Sequence, residues 1–373
     1  MKLKTRCTGD EGQPGCVCAP FQRWLSLVTV VGICLVLVAT TGESRGQTSS
    51  SPPPPGATGV PEPASVPNGA PATQSNDAMP PISRLDDQTP ADTQDSGFVF
   101  KKEVQEVILH ATVVDERRRL VTNLDRTAFS VFEDSVPQKI TSFHREDVPV
   151  AMGIVVDNSG SMREKRDKVN QAVLNLIRAS HPKDEIFVVN FSRDSYLDQD
   201  FTSDINLLQQ ALGKVSAQGS TALYDAIVAS AVHLKNNPRI DRKVLLVITD
   251  GRDNASQETL QQATRRLQQE NGPTLYAVGL LGEELQKSGI EALQSLADST
   301  GGVAFFPKEL DEVDDITRSV ARDIRSQYTI GYKPDNPRQN AGYRTIQVTA
   351  QARSYRKLTV RTRSGYYANA GAH

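Results

Sequence analysis

Five side chains in the second half of the chain have the types and spacing for one kind of chemistry: Asp157, Ser159, Ser161, Thr221 and Asp250. Asp157 closes the apolar run GIVVD, and the hydroxyls of Ser159 and Ser161 follow at alternate positions, with Gly160 between them to ease a tight turn. Asp250 closes a second apolar run, KVLLVITD. If these two runs are neighbouring strands, both carboxylates stand at one rim, where like charges repel and a bound cation removes the conflict. No balancing Lys or Arg is expected in the adjacent turns before Arg252. Thr221, in GSTALYDAI, adds a third hydroxyl from a loop that Gly219 lets approach closely.

The set is all oxygen, which suits a hard ion. Small hydroxyls and waters favour octahedral Mg2+ over a roomy Ca2+ cage; Mn2+ fits as well, and Ca2+ stands as a further alternative. Because three of the five groups are neutral, an ion reached by the acids partly through water keeps positive character and an open position. A Glu or Asp carboxylate of a partner protein is the expected occupant. The plainer alternative is that Ser159 and Ser161 cap a helix start while Asp157 and Asp250 are solvated strand-end acids.

Other polar residues are weaker candidates. Asp253 either adds an outer contact to the ion or is a turn residue ahead of a helix capped near Ser256. Asp225 lies one helical turn past Thr221 but is expected in solvent. The five histidines, His110, His144, His181, His233 and His373, are scattered with no H-E-x-x-H pattern, and are read as structural or exposed. With no G-x-S-x-G, P-loop or dinucleotide fingerprint either, binding is expected rather than catalysis, and a metal-assisted hydrolase is the remote alternative.

The elements that must position these residues follow from periodicity. After Val148, apolar strands (VAMGIVV, EIFVVNF, KVLLVIT, TLYAVGL, GVAFF) alternate with amphipathic helices. One helix face carries Val169, Ala172, Val173, Leu176 and Ile177, and another carries Leu223, Ala226, Ile227, Ser230, Ala231 and Leu234. Such alternation predicts an α/β fold over residues 149–326, a doubly wound, mostly parallel, Rossmann-like sheet covered on both faces. Residues 98–148 and 327–367 instead alternate with period two, as in Ile346, Val348 and Ala350 against Thr345, Gln347 and Thr349. These flanking pieces are expected to pair into one discontinuous all-β sandwich. The basic residues Arg338, Arg344, Arg353, Arg356, Lys357 and Arg361 are expected on its solvated outer face, with contact to an acidic partner, glycan or lipid headgroup as the alternative.

The N-terminal part reads differently. Lys2, Lys4, Arg6 and Arg23 precede the uncharged apolar run at 25–39, so residues 1–46 are expected to be a signal peptide or a membrane anchor extending over 25–41. Residues 47–97, opening SSSPPPPGATG after Thr48, form a Pro/Ser-rich spacer. The remainder would then be exported, to the periplasm or the cell surface. Cys7, Cys16, Cys18 and Cys34 all fall in the leader, leaving the rest without disulfides. A formal charge of −2 and a pI near 6.3 give no polyanion-binding signal, so nucleic acid is not an expected partner.

The pattern D-x-S-x-S, then a distant Thr, then an Asp resembles the metal-ion-dependent adhesion site (MIDAS) of von Willebrand factor type A domains, with all five positions filled here. The resemblance covers roughly residues 149–325. The flanking segments NLDRTAFSVFEDSVPQKITSF and QYTIGYKPDNPRQNAGYR further resemble a bacterial family of exported proteins related to these domains. The resemblance implies Mg2+-dependent adhesion or complex assembly in the cell envelope rather than turnover. A scaffold in an envelope assembly whose metal site is incidental is the alternative.

Overall fold

The computed structural model describes residues 3–4 and 106–368, apart from 146, 215–216, 238, 283–284 and 336–341. The leader or anchor apart from residues 3–4, the spacer, all four cysteines, Arg338 and His373 lie outside the described residues. Among the described residues no helix is long and apolar enough to cross a membrane.

Four strands come first: β1 (Val107–Asp115), β2 (Phe129–Glu133), β3 (Val136–Gln138) and β4 (Ile140–His144). Next are β5 (Ala151–Asp157), α1 (Arg166–Ala179), β6 (Glu185–Phe191), β7 (Ser195–Thr202), α2 (Ile205–Leu212) and α3 (Leu223–Lys235). They are followed by β8 (Lys243–Thr249), α4 (Leu260–Leu267), β9 (Thr274–Gly279), α5 (Lys287–Thr300), β10 (Ala304–Phe305) and α6 (Glu312–Arg325). The described chain closes with β11 (Tyr328–Tyr332), β12 (Gly342–Ala350), β13 (Leu358–Arg361) and β14 (Gly365–Ala368).

Six strands form one sheet in the order β10-β9-β8-β5-β6-β7, parallel throughout except where β7 runs against β6. Every residue of β5 is buried, as the central strand of a doubly covered sheet requires. Met152, Ile154 and Val156 pack in the layer that contains Val169, Val173, Leu176, Val320 and Ile324 of α1 and α6. Ala151 and Val155 pack in the opposite layer with Leu223 and Ile227 of α3 and Leu293 and Leu296 of α5. Between them Gly153 leaves room for an aromatic ring, since a Cβ there would stand 2.4 Å from Phe187 Cζ and 2.6 Å from Leu245 Cδ2. Gly153→Ala is therefore expected to overpack the core and cost about 1–3 kcal/mol, read as a lower urea midpoint with an unchanged slope. A midpoint equal to that of the unaltered chain would contradict this packing.

The chain leaves β5 toward β6 and leaves β8 toward β9, on opposite sides. The carboxyl ends of β5 and β8 thus flank a topological switch point, where the diverging loops of an α/β sheet open a crevice. Pairing of Val156 with Ile248 sets Asp157 level with Thr249 and leaves Asp250 just past the end of β8.

The remaining strands make two antiparallel four-stranded sheets, β13-β1-β11-β4 and β14-β12-β2-β3. They share a core of Leu109, Val113, Val131, Tyr328, Ile330, Ile346 and Val348. β1 and β2 precede the α/β core and pair with β11, β13 and β12, which follow it. Inside this core lies a buried polar cluster: Arg344 pairs with Glu133 at 2.6 Å, and the hydroxyls of Tyr332 and Tyr366 donate to Glu133, the latter at 3.0 Å. Burial and the Glu133 charge hold both phenols protonated, with Tyr366 pushed up to about 12.

Several expectations about the surface are corrected. Arg344 lies on the inward face of β12, two residues before Ile346, and not in solvent. Arg361 is tied to Asp323 at 3.0 Å, while Arg353, Arg356 and Lys357 do remain exposed. The helix expected to be capped near Ser256 begins instead at Leu260. Thr259 caps it reciprocally with Gln262, and Ser256 is spent on Asp253.

Candidate metal centre

Three loops meet at the crevice. The first leaves β5 through Asn158 and Ser159, makes a single tight helical turn at Gly160–Met162 and enters α1. Met162 is fully buried and pins that turn to the core. The second precedes α3 and is held to the first by backbone bonds, Gln218 N to Asn158 O at 3.1 Å and Gly160 N to Gly219 O at 3.5 Å. Gly219 adopts φ 87°, a left-handed conformation that favours glycine. The third follows β8, where Asn254 holds Thr221 on both sides. Its Oδ1 accepts from Thr221 N at 2.8 Å, and its own N–H donates to Thr221 O at 3.0 Å.

These contacts bring the five side chains together. Ser159 Oγ and Ser161 Oγ are 3.2 Å apart, and Ser161 Oγ donates to Asp250 Oδ1 at 2.8 Å. Asp157 Oδ1 accepts the Ser159 amide at 2.8 Å, and its Oδ2 accepts Thr249 Oγ1 at 2.6 Å. Thr221 sits against the residue after Asp250, since a Cβ on Gly251 would stand 3.3 Å from Thr221 Oγ1. Both acids are fully buried, and Ser159 and Thr221 nearly so. The solvated-acid alternative is thereby removed. Ser159 stands at the head of the tight turn but makes no side-chain capping bond there.

Oxygens held about 2.1 Å from one small divalent ion in an octahedron lie about 3 Å apart along each edge. The oxygens of Ser159, Ser161 and Asp250, hydrogen-bonded at 3.2 and 2.8 Å, already lie that close, and the all-oxygen donor set of the rim suits a small hard ion. Ser159, Ser161 and Asp250 are the side chains that would hold it directly. Asp157, turned to the Ser159 amide and Thr249 Oγ1, would add its charge behind them, and Thr221 would complete the rim from the second loop. Among the described residues no group of three or more His, Cys, Asp and Glu side chains could hold a metal. A set of two carboxylates and three hydroxyls is not a group of that kind.

The electrostatics differ from expectation at one point. Lys165, at the start of α1, reaches back over the rim and pairs with Asp250 Oδ2 at 2.5 Å. Charge balance thus comes from a cation that the spacing had not assigned, because the tight turn after Ser161 folds the helix start over the strand ends. Arg166 beside it is fully buried and braces the end of β5, donating to Asp157 O at 3.3 Å, Asn190 Oδ1 at 2.8 Å and Leu212 O at 3.1 Å. Asp253 is the turn residue of its two readings, accepting from Ser256 Oγ at 2.5 Å and from Tyr224 N at 3.3 Å. Asp225 is not in solvent: it is buried and accepts the amides of Gln257 and Glu258.

Burial, with a smaller contribution from the Asp250 charge, pushes the Asp157 carboxyl up to about 6 from an ordinary 3.8. The folded chain therefore holds this proton more tightly than the unfolded one. The associated stability is complete below pH 3.8 and is lost as the pH rises toward about 6, by on the order of 3 kcal/mol. His110 acts in the opposite sense. Burial, with Arg242 and Arg363 nearby, lowers it to about 3, so its contribution is lost as the pH falls from 6.5 toward 3. Unfolding free energies of the unaltered chain and of Asp157→Asn, measured without divalent ions from pH 3.5 to 7, separate the two. The difference between the curves is expected to change across pH 4–6 and to be flat above. A constant difference would show that the Asp157 carboxyl titrates normally.

The family model of the von Willebrand factor type A domain matches residues 152–252, a stretch that contains all five rim residues. The matched stretch falls within the α/β domain, which is similar there to a von Willebrand factor type A domain. A search of curated proteins returns no match. Among solved structures, a von Willebrand factor type A protein from Catenulispora acidiphila is 15% identical, with 70% of this chain and 73% of that one covered and a TM-score of 0.42. Proximal thread matrix protein 1 from the mussel byssus is 17% identical, with 52% of this chain covered and a TM-score of 0.43. The match spans 51% of the mussel protein, which has also been solved with its MIDAS motif occupied by zinc. The PilB minor pilin from Streptococcus sanguinis is 12% identical over 49% of this chain and 63% of that one, with a TM-score of 0.41.

Proposed function

We propose that Asp157, Ser159, Ser161, Thr221 and Asp250 hold a Mg2+ ion, and that the chain is a metal-dependent protein-binding or adhesion module of the cell envelope. When bound, the ion would supply a Lewis-acidic position for a Glu or Asp carboxylate of a partner protein. The observation that carries this reading is the clustering of three side-chain oxygens, from Ser159, Ser161 and Asp250, at separations of 2.8 and 3.2 Å on a sheet rim. Mg2+ is preferred over Ca2+ because a set of small hydroxyls, two carboxylates and waters suits an octahedral ion better than a roomy cage, whereas Mn2+ remains close in size.

The residues of the chain do the positioning. Asp157 orients the serine loop through the Ser159 amide, Asn254 fixes Thr221, and Arg166 braces the strand end. Hydrogen bonds of these five residues run to one another, to Thr249, to Asn254 and to Lys165, an arrangement that supports ion binding. Binding rather than turnover is the activity proposed. The apolar run at 25–39 supports a location beyond the cytoplasmic membrane, with that segment as leader or anchor.

The pairing of Lys165 with Asp250 favours one second reading, an envelope scaffold that stands without an ion. Capture of partners from envelope extract distinguishes the two. The proposed function requires a protein retained by the chain in Mg2+, released by EDTA, and not retained by Asp250→Ala. A protein retained equally in all three conditions would favour the scaffold.

A further inference from the structure

We infer that Lys165 sets the affinity of the rim for its divalent ion: its ammonium is a tethered competitor that has to leave Asp250 before an ion can take that carboxylate in full. The inference rests on the reading of the rim as a metal centre and adds to it a residue outside the five. Asp250 is fully buried and both its oxygens are committed, Oδ1 to Ser161 and Oδ2 to Lys165 at 2.5 Å. An ion approaching from solvent therefore meets one carboxylate whose charge is already matched.

Three observations mark Lys165 as a movable cation and not a structural one. Its side chain is 25% exposed, so the ammonium can swing into water, where it is strongly hydrated. Its backbone need not follow, because Lys165 N is held by Met162 O at 2.9 Å and Lys165 O by the Val169 amide at 3.1 Å. The residue beside the ammonium is Gly282, which has no side chain to hold it; a Cβ there would be 3.7 Å from Lys165 Nζ. A lysine at a helix N-terminus, moreover, opposes the helix dipole. Helix stability thus gives no reason for a cation here, whereas Asp250 does. Arg166, by contrast, is fully buried with three acceptors and cannot respond.

Calorimetric titration of MnCl2 into the full-length chain, Lys165→Gln and Lys165→Arg tests this. Lys165→Gln is expected to bind Mn2+ on the order of tenfold more tightly, and Lys165→Arg no more tightly than the unaltered chain. Equal or weaker binding by Lys165→Gln would overturn the inference and leave the metal centre standing; no binding by any of the three would sink both. A second measurement needs no variant. Amine labelling of Lys165, followed by mass spectrometry, should quicken severalfold when Mn2+ is added to the unaltered chain. A rate that is unchanged or slowed by Mn2+ contradicts displacement of the ammonium.

Discussion

Asp157→Ala is expected to erase the magnesium-dependent rise in melting temperature. An ion that binds the folded chain alone stabilises it by about 2.7 kcal/mol at a hundred times its dissociation constant. For a domain of this size that corresponds to a rise of roughly 5–10 °C. Asp157 is one of the two carboxylates among the five rim residues and holds the Ser159 amide at 2.8 Å, so alanine removes both charge and loop geometry. The metal-free variant should still fold, since it loses a buried carboxylate whose ionisation burial already disfavours. Asp157→Asn separates the two contributions. It keeps an oxygen for Ser159 N but not the charge, and is expected to retain at most a small part of the rise. A rise of full size in Asp157→Ala would place the stabilising ion elsewhere.

Glu133→Ala should be the most destabilising change outside the α/β domain. Glu133 lies on β2, before that domain, and its three partners Arg344, Tyr332 and Tyr366 lie on β12, β11 and β14, after it. Alanine leaves a buried guanidinium without its carboxylate and two phenols without their acceptor. Removing one member of a buried ion pair costs about 3–5 kcal/mol. Replacing the pair together, as in Glu133→Leu with Arg344→Met, should recover much of that loss, because no lone buried charge remains. Urea unfolding of the single and double variants is the check. A loss under about 1 kcal/mol in Glu133→Ala would mean that this cluster does not hold the two halves of the sandwich together.

The rim was legible because its residues stand at the ends of apolar runs, and burial of those runs leaves little freedom in where Asp157 and Asp250 emerge. Thr221 was legible from the loop glycine before it and the helix after it. Lys165 was not, since its role depends on how the turn at Gly160–Met162 aims the start of α1, a tertiary effect with no periodic signal. The edge strand β7 was missed for a related reason. Its sequence SYLDQDFT is only partly buried and carries no clean alternation. The short strands β3 and β4 were hidden by Pro137 and by the turn at Asp134 and Ser135, both of which have positive φ. Arg344 shows the limit of reading charge as exposure. Its place two residues before Ile346 already put it on the inward face of β12, and what could not be seen was the carboxylate awaiting it there.

Anomalous diffraction from crystals of the chain grown in MnCl2 tests the central claim most directly. A single strong Mn2+ peak is predicted, in contact with Ser159 Oγ, Ser161 Oγ and an oxygen of Asp250 and close to Thr221. Absence of any peak at this rim in well-ordered crystals, or a peak held by other side chains, would contradict it.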